Sequence, residues 1–141
     1  MTSSLEQVFS KLWVLLDNEG FVPVKEFSET DSQKNKDKMY AVISFEGSTA
    51  VCQAEVYESD NYCIETDHRI CLHLFGKSGD FSDYETLTDS CYELFYAILN
   101  DPDLLICKME LSKAVQTMPI RRLERKLEFT VRASENAEVE Q

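Results

Sequence analysis

His68, Cys71 and His73 fall within the short run DHRICLHLF, and their side chains are of the types that hold zinc or pair a thiol with an imidazole base. Spacing decides between these chemistries and a plainer role. On a β-strand successive side chains alternate between faces, so Cys71 and His73 share one face and His68 takes the other. The three donors therefore converge only across a bulge. A cysteine nucleophile also needs its histidine aimed at a substrate and held by a third group, whereas strand residues two apart stand side by side. The expectation is a half-buried strand with a core thiol and locally satisfied imidazoles, and no metal ligands. The chain has no GxSxG, GxxxxGK, GxGxxG, HExxH or CxxC pattern and no EF-hand loop. The acidic pairs Glu55 with Glu58 and Asp80 with Asp83 read as solvated loop charge. No catalytic residue and no cofactor are expected.

The remaining chemistry-bearing feature is basic. Arg121, Arg122, Arg125, Lys126 and Arg132, with Lys113 ahead of them, form a positive segment interleaved with Glu124 and Glu128. A solvated strand face is the plain reading. The sharper one is subunit contact, in which this strand meets the acidic surface of a second copy head to tail; such interfaces close into rings when the rotation permits.

Overall charge sets the wider limits. Twenty-six acidic against fourteen basic side chains give a formal charge of −12. Phosphate backbones and anionic membranes are repelled at long range, so neither nucleic acid nor a membrane is an expected partner. At 141 residues, with 43% apolar and 28% charged side chains, the chain has the make-up of one globular domain with one core. No stretch approaches the ~20 apolar residues of a bilayer span, and the N-terminal segment lacks a signal-peptide pattern. Five widely spaced cysteines, Cys52, Cys63, Cys71, Cys91 and Cys107, suit reduced thiols better than a disulfide framework. The expected location is the cytoplasm.

The elements that must position these residues follow from periodicity. Residues 3 to 18 read as a helix, with Leu5, Val8, Phe9, Leu12, Leu15 and Leu16 at three- and four-residue steps, a Ser3/Glu6 capping box and Gly20 beyond the end. Trp13 and Val14 widen its apolar surface, implying deeper burial or a neighbouring subunit. FVPVKEF follows as a short edge strand containing Pro23. Residues 28 to 38 hold no apolar side chain and read as a mobile polar loop. A β-pattern begins at Met39 with YAVISF, a turn at Gly47 and Ser48, AVCQAEVYE, and a long central strand from Tyr62 to Phe75. Ser82 and Glu85 have capping-box spacing ahead of a second helix, whose stripe is Tyr84, Leu87, Cys91, Leu94, Phe95, Ile98 and Leu99. Two strands close the pattern. The first places Leu105, Cys107, Met109 and Leu111 on one parity. The second places Leu123, Leu127, Phe129 and Val131 on one face, interrupted by Arg125, and Arg122, Glu124, Lys126, Glu128, Thr130 and Arg132 on the other. AVQTMPI between them reads as a bulged or protruding hairpin tip. Residues 133 to 141 read as a frayed, disordered acidic tail, which leaves 1 to 132 as the domain.

Helices interrupting hairpins imply an α+β fold, a two-layer sandwich with an antiparallel or mixed sheet of about four to six strands and two main helices packed on one face. The succession SLEQVFSKLWVLLDNE, RICLHLFGKS, SDYETLTDSCYELFYAILND, LLICKMELSKAV and RRLERKLEFTVRAS resembles the tail terminator and tail-completion proteins of long-tailed bacteriophages and phage-like elements, over roughly residues 3 to 132. The resemblance lies in order, size and texture, and the 28–38 segment departs from it. It implies a non-enzymatic virion component whose copies form a ring, usually a hexamer, that caps the tail tube and faces the head connector. Its expected partners are its own copies, tail-tube proteins and head-connector proteins. Candidate contacts are then the polar loop with Lys34 and Lys36, the tip with Met118 and Pro119, and the basic residues Arg121, Arg122, Arg125 and Lys126. The alternative is a small acidic cytoplasmic adaptor or inhibitor that binds one basic protein. A third possibility, an enzyme with an unrecognised site, requires a deep pocket with perturbed titratable groups.

Overall fold

A computed structural model of the 141-residue chain describes residues 4–24, 38–55, 61–78, 81–117 and 122–138. Its elements are α1 (Leu5–Asn18), β1 (Phe21–Val24), β2 (Met39–Glu55), β3 (Asn61–Phe75), α2 (Tyr84–Leu99), β4 (Leu105–Leu111), β5 (Val115–Thr117) and β6 (Arg122–Glu138), with a 3₁₀ turn at Phe81–Asp83 before α2. The strands make one mixed sheet in the order β1-β2-β3-β6-β4, with β5 also paired to β6. Among the described residues only the β1–β2 pairing is parallel. This is the α+β two-layer sandwich that the element order implies.

Alternation builds the core. Ala41 of β2, Ile70, Leu72 and Leu74 of β3, and Leu123, Leu127, Phe129, Val131 and Ala133 of β6 lie in one buried cluster with Val8, Leu12 and Leu16 of α1 and Leu87, Cys91, Leu94 and Ile98 of α2. Each fully buried leucine stabilises the fold by roughly 1.5–3 kcal/mol over its exposed state. Lys11 of α1 ties the two helical segments together, lying 3.3 Å from Asp101 and 3.4 Å from Asp103 just past α2. Its ammonium pKa is raised, first by the hydrogen bond to Asp101 and then by that to Asp103. Among the described residues β1 is an edge strand, the sheet position in which a proline such as Pro23 is tolerated.

Several local readings shift. The capping box of α1 is formed one residue later than Ser3/Glu6: Gln7 N donates to Ser4 Oγ at 3.3 Å, and Ser4 N donates to the Gln7 side chain at 2.9 Å. Glutamine fills the role expected of glutamate. At α2 the Ser82/Glu85 pair is not the cap; Asp83 is the N-cap residue, and its carboxylate accepts from Ser78 Oγ at 2.5 Å. Gly47 and Ser48 do not turn the chain. β2 runs straight through them, with register shifts between Phe45 and Gly47 and between Ala50 and Cys52. In β4 a further shift between Ile106 and Lys108 turns Cys107 outward. Ile106, Met109 and Leu111 therefore face the core, and Leu105 is exposed instead of sharing the face of Met109.

The tail reading is corrected too. Ala133–Glu138 continues β6 and pairs with Asn61–Thr66 of β3, which in turn pairs with the end of β2. Backbone pairing overrides the polar composition that suggested fraying. β2, β3 and β6 stay paired to one another over Ala50–Glu55, Asn61–Thr66 and Ala133–Glu138, a three-stranded ribbon with no residue of β1 or β4 paired alongside it among the described residues. The polar loop of residues 28–38, apart from Lys38, and the tip at Met118, Pro119 and Ile120 lie outside the described residues.

Candidate functional site

The sheet face away from the helices carries the polar chemistry. β3 is central, and its odd-numbered residues Arg69, Cys71, His73 and Phe75 point to this outer face. Ser44 and Glu128 flank Cys71 across the two neighbouring strands, and Val42 and Lys126 flank His73. Toward β1 the face is apolar: Tyr40, Val42 and Phe75 are buried, with Val22 and Val24 packed against them.

The bulge in β2 adds a carboxylate. Phe45 pairs with Ile70 and Gly47 with Arg69, so Glu46 is the extra residue. Gly47 accommodates it with φ of 136°, a conformation that side-chain-bearing residues rarely adopt. A Cβ there would meet Arg69 Nη2 at 2.7 Å. One donor atom each from Glu46, Cys71 and His73 then lies within 4.8 Å of the others. Ser44 Oγ donates to Glu46 Oε1 at 3.3 Å, and His73 Nδ1 is 2.9 Å from Glu124 Oε2. An ionised carboxylate only accepts, so Nδ1 carries the hydrogen of that bond.

Burial grades across the cluster. Cys71 is buried, the side chains of His73 and Glu124 are 12% and 9% exposed, and Glu46 is exposed. Burial, followed by the charges of Glu128 and Glu46, pushes the Cys71 thiol up to about 12. At neutral pH it is therefore a protonated thiol and a weak nucleophile. Burial pushes Cys91, in the core, up to about 12 as well. Beside the cluster a shallow depression of about 170 Å³ is lined by Glu46, Arg69, Lys108, Glu110, Glu128 and Thr130, a mixture of charges with no single sign.

His68 does not join Cys71 and His73, as strand alternation predicts. His68 points to the helix side, where it is buried 5.4 Å from the Phe45 ring, and among the described residues neither ring nitrogen has a hydrogen-bond partner. Cys71 and His73 do share a face, but their companions Glu46 and Glu124 come from other strands. The signal for Glu46 was Gly47 in an alternating run, readable as a bulge instead of a turn.

The basic segment is largely internal. Arg122 is buried on the outer face: its Nη1 donates to Lys38 O at 2.8 Å and to Gly76 O at 2.7 Å, and its guanidinium lies 5.0 Å from the Tyr40 ring centre. Arg125 is buried on the helix side, donating to Ser112 O at 2.8 Å and Thr88 Oγ1 at 3.2 Å beside the Tyr92 ring. Neither is a surface contact residue, contrary to the expectation from sequence; both guanidiniums are consumed by internal acceptors. Arg132 holds Asp67 at 2.9 Å. Lys126 is exposed, as expected, while Arg121, Lys34, Lys36, Met118 and Pro119 lie outside the described residues.

Apolar surface appears elsewhere. Tyr84, Tyr92, Tyr96 and Leu99 are exposed on α2, Phe81 on the turn before it, and Trp13 and Val14 on α1. Tyr84 and Leu99 thus leave the buried stripe to which their spacing assigned them. Tyr84, Thr88, Tyr92 and Tyr96 recur at every fourth position along the flank of α2, where Thr88 and Tyr92 also meet the buried Arg125. No described helix is long and apolar enough to cross a membrane. The chain matches no family model, and no curated protein sequence matches it.

Proposed function

We propose that this chain is a non-enzymatic structural subunit that assembles with its own copies into a ring, in the manner of the phage tail terminators its element order resembles. The supporting observation is the ribbon. β2, β3 and β6 continue together as a three-stranded ribbon, and among the described residues nothing pairs with the outer edge of β2 beyond Val42 or with the β4-side edge of β6 beyond Arg132. Open strand edges are templates for pairing with another chain. A neighbouring copy supplies that partner. The exposed aromatic residues of α2 and α1 add surface of the kind that anchors protein interfaces.

On this reading the mechanism is physical. Copies close a ring on the end of a tail tube, stop further addition of tube subunits and present the opposite surface to the head connector. The protein acts in the cytoplasm of a bacterial host and then in the virion. Light scattering across a concentration series, followed by negative-stain microscopy, tests it. A closed ring of about six copies is expected, alone or on assembled tube ends. A monomer at every concentration that also fails to bind tube ends overturns the reading and leaves the acidic adaptor in its place.

A further inference from the structure

The ribbon leaves unexplained the Glu46–Cys71–His73 cluster on the outer sheet face. The geometry points to a site for one borderline-soft divalent cation, of which Zn²⁺ is the type, bound by Glu46, Cys71 and His73, with Glu124 orienting the imidazole. A carboxylate, a sulfur and an imidazole nitrogen are the donor set that zinc accepts, and three protein ligands leave the fourth tetrahedral position to water. The donor atoms already lie within 4.8 Å of one another, so side-chain adjustments suffice to bring them round one ion. Cys71 and His73 are fixed by the central strand, and Glu46 is delivered by a bulge that needs a glycine after it.

Two further contacts belong to such a site. A carboxylate on one nitrogen of a metal-bound imidazole orients the ring, and Glu124 lies 2.9 Å from Nδ1 of His73, which leaves Nε2 as the nitrogen that would coordinate. Ser44 holds Glu46 through Oε1 in the same outer layer, at 3.3 Å. Burial of Cys71 fits as well. A thiolate there lacks solvent and faces the carboxylates of Glu128 and Glu46; a divalent ion supplies the countercharge as the thiol proton leaves to water. Pinning Glu46 of β2 to Cys71 and His73 of β3 would fasten the two strands together at the bulge.

Cobalt titration of the full-length protein, kept reduced with a phosphine, tests the site. One equivalent of Co²⁺ should give a thiolate-to-cobalt charge-transfer band that Zn²⁺ abolishes. Cys71→Ser should remove the band while Cys107→Ser keeps it. Glu124→Gln should weaken binding about 10- to 100-fold, as outer-layer partners of metal histidines do. If Cys71→Ser fails to fold by circular dichroism, His73→Gln takes its place, and unchanged affinity in that variant sinks the proposal. So does the lack of any charge-transfer band with cobalt in excess, or a band that survives Cys71→Ser. The readout is independent of ring formation, so its failure leaves the assembly reading standing.

Discussion

Arg122 shows how far one side chain can sit from its expected role. Alternation places it correctly on the outer face, but one of its terminal nitrogens satisfies the carbonyls of Lys38 and Gly76, two segments far apart in sequence, while its plane lies against Tyr40. Hydrogen bonds from a charged group contribute about 1.5–3 kcal/mol each, and stranded buried carbonyls add a penalty. Arg122→Ala should therefore lower unfolding free energy by about 3 kcal/mol or more in a denaturant titration, with Lys126→Ala within ~0.5 kcal/mol of the wild type. Arg122→Lys should recover little, because an ammonium cannot both fork between two carbonyls and stack on a ring. A mild effect at Arg122 with a large one at Lys126 would return the basic segment to the surface. What the sequence reveals here is the face of a residue. Which distant carbonyls it reaches is fixed by chain crossings that alternation does not encode, and the same holds for Glu124 meeting His73.

At the scale of elements, period and face were legible wherever a strand keeps its register. The apolar row of β6 from Leu123 to Val131, the two-faced β3 and the buried stripe of α2 all follow from spacing, because packing against one layer rewards a strict period. The errors cluster at bulges. Each inserts one residue and inverts every face after it, as at Glu46 in β2 and Cys107 in β4. A glycine in an alternating run is compatible with a turn or a bulge, and only the partner strand decides. Gly47 gives the sharpest test. Its φ is 136° and Arg69 Nη2 stands 2.7 Å from where a Cβ would sit, so Gly47→Ala forces both backbone and neighbour to move. Strained backbone of this kind costs on the order of 1–3 kcal/mol. The expected outcome is that much loss of stability by thermal or chemical unfolding, together with weaker cobalt binding as Glu46 leaves the cluster. A neutral substitution would mean that the bulge does not depend on the glycine, and with it would go the account of how Glu46 reaches Cys71.

For the whole molecule, the burial of Arg122 and Arg125 reverses the electrostatic argument for assembly. The sequence suggested copies drawn together by a basic strand meeting acidic surface, an attraction that salt would screen. With two of its guanidiniums internal and Arg132 engaged by Asp67, that strand has few charges left to offer a neighbour. The copies still carry −12 each, and bringing like-charged subunits into a ring costs electrostatic work. In the proposed ring, strand pairing along the ribbon and burial of aromatic side chains such as Tyr92 and Tyr96 would then have to hold the copies, terms that screening does not weaken. The sign of the salt effect follows. Raising ionic strength from about 0.01 M to about 1 M shortens the Debye length from roughly 30 Å to 3 Å and removes most of the repulsion. Self-association should therefore strengthen with salt, seen in sedimentation velocity as a larger ring fraction at fixed protein concentration. Dissociation by salt would instead make charge pairs the principal contacts and restore the head-to-tail scheme, with its cations drawn from residues other than Arg122 and Arg125.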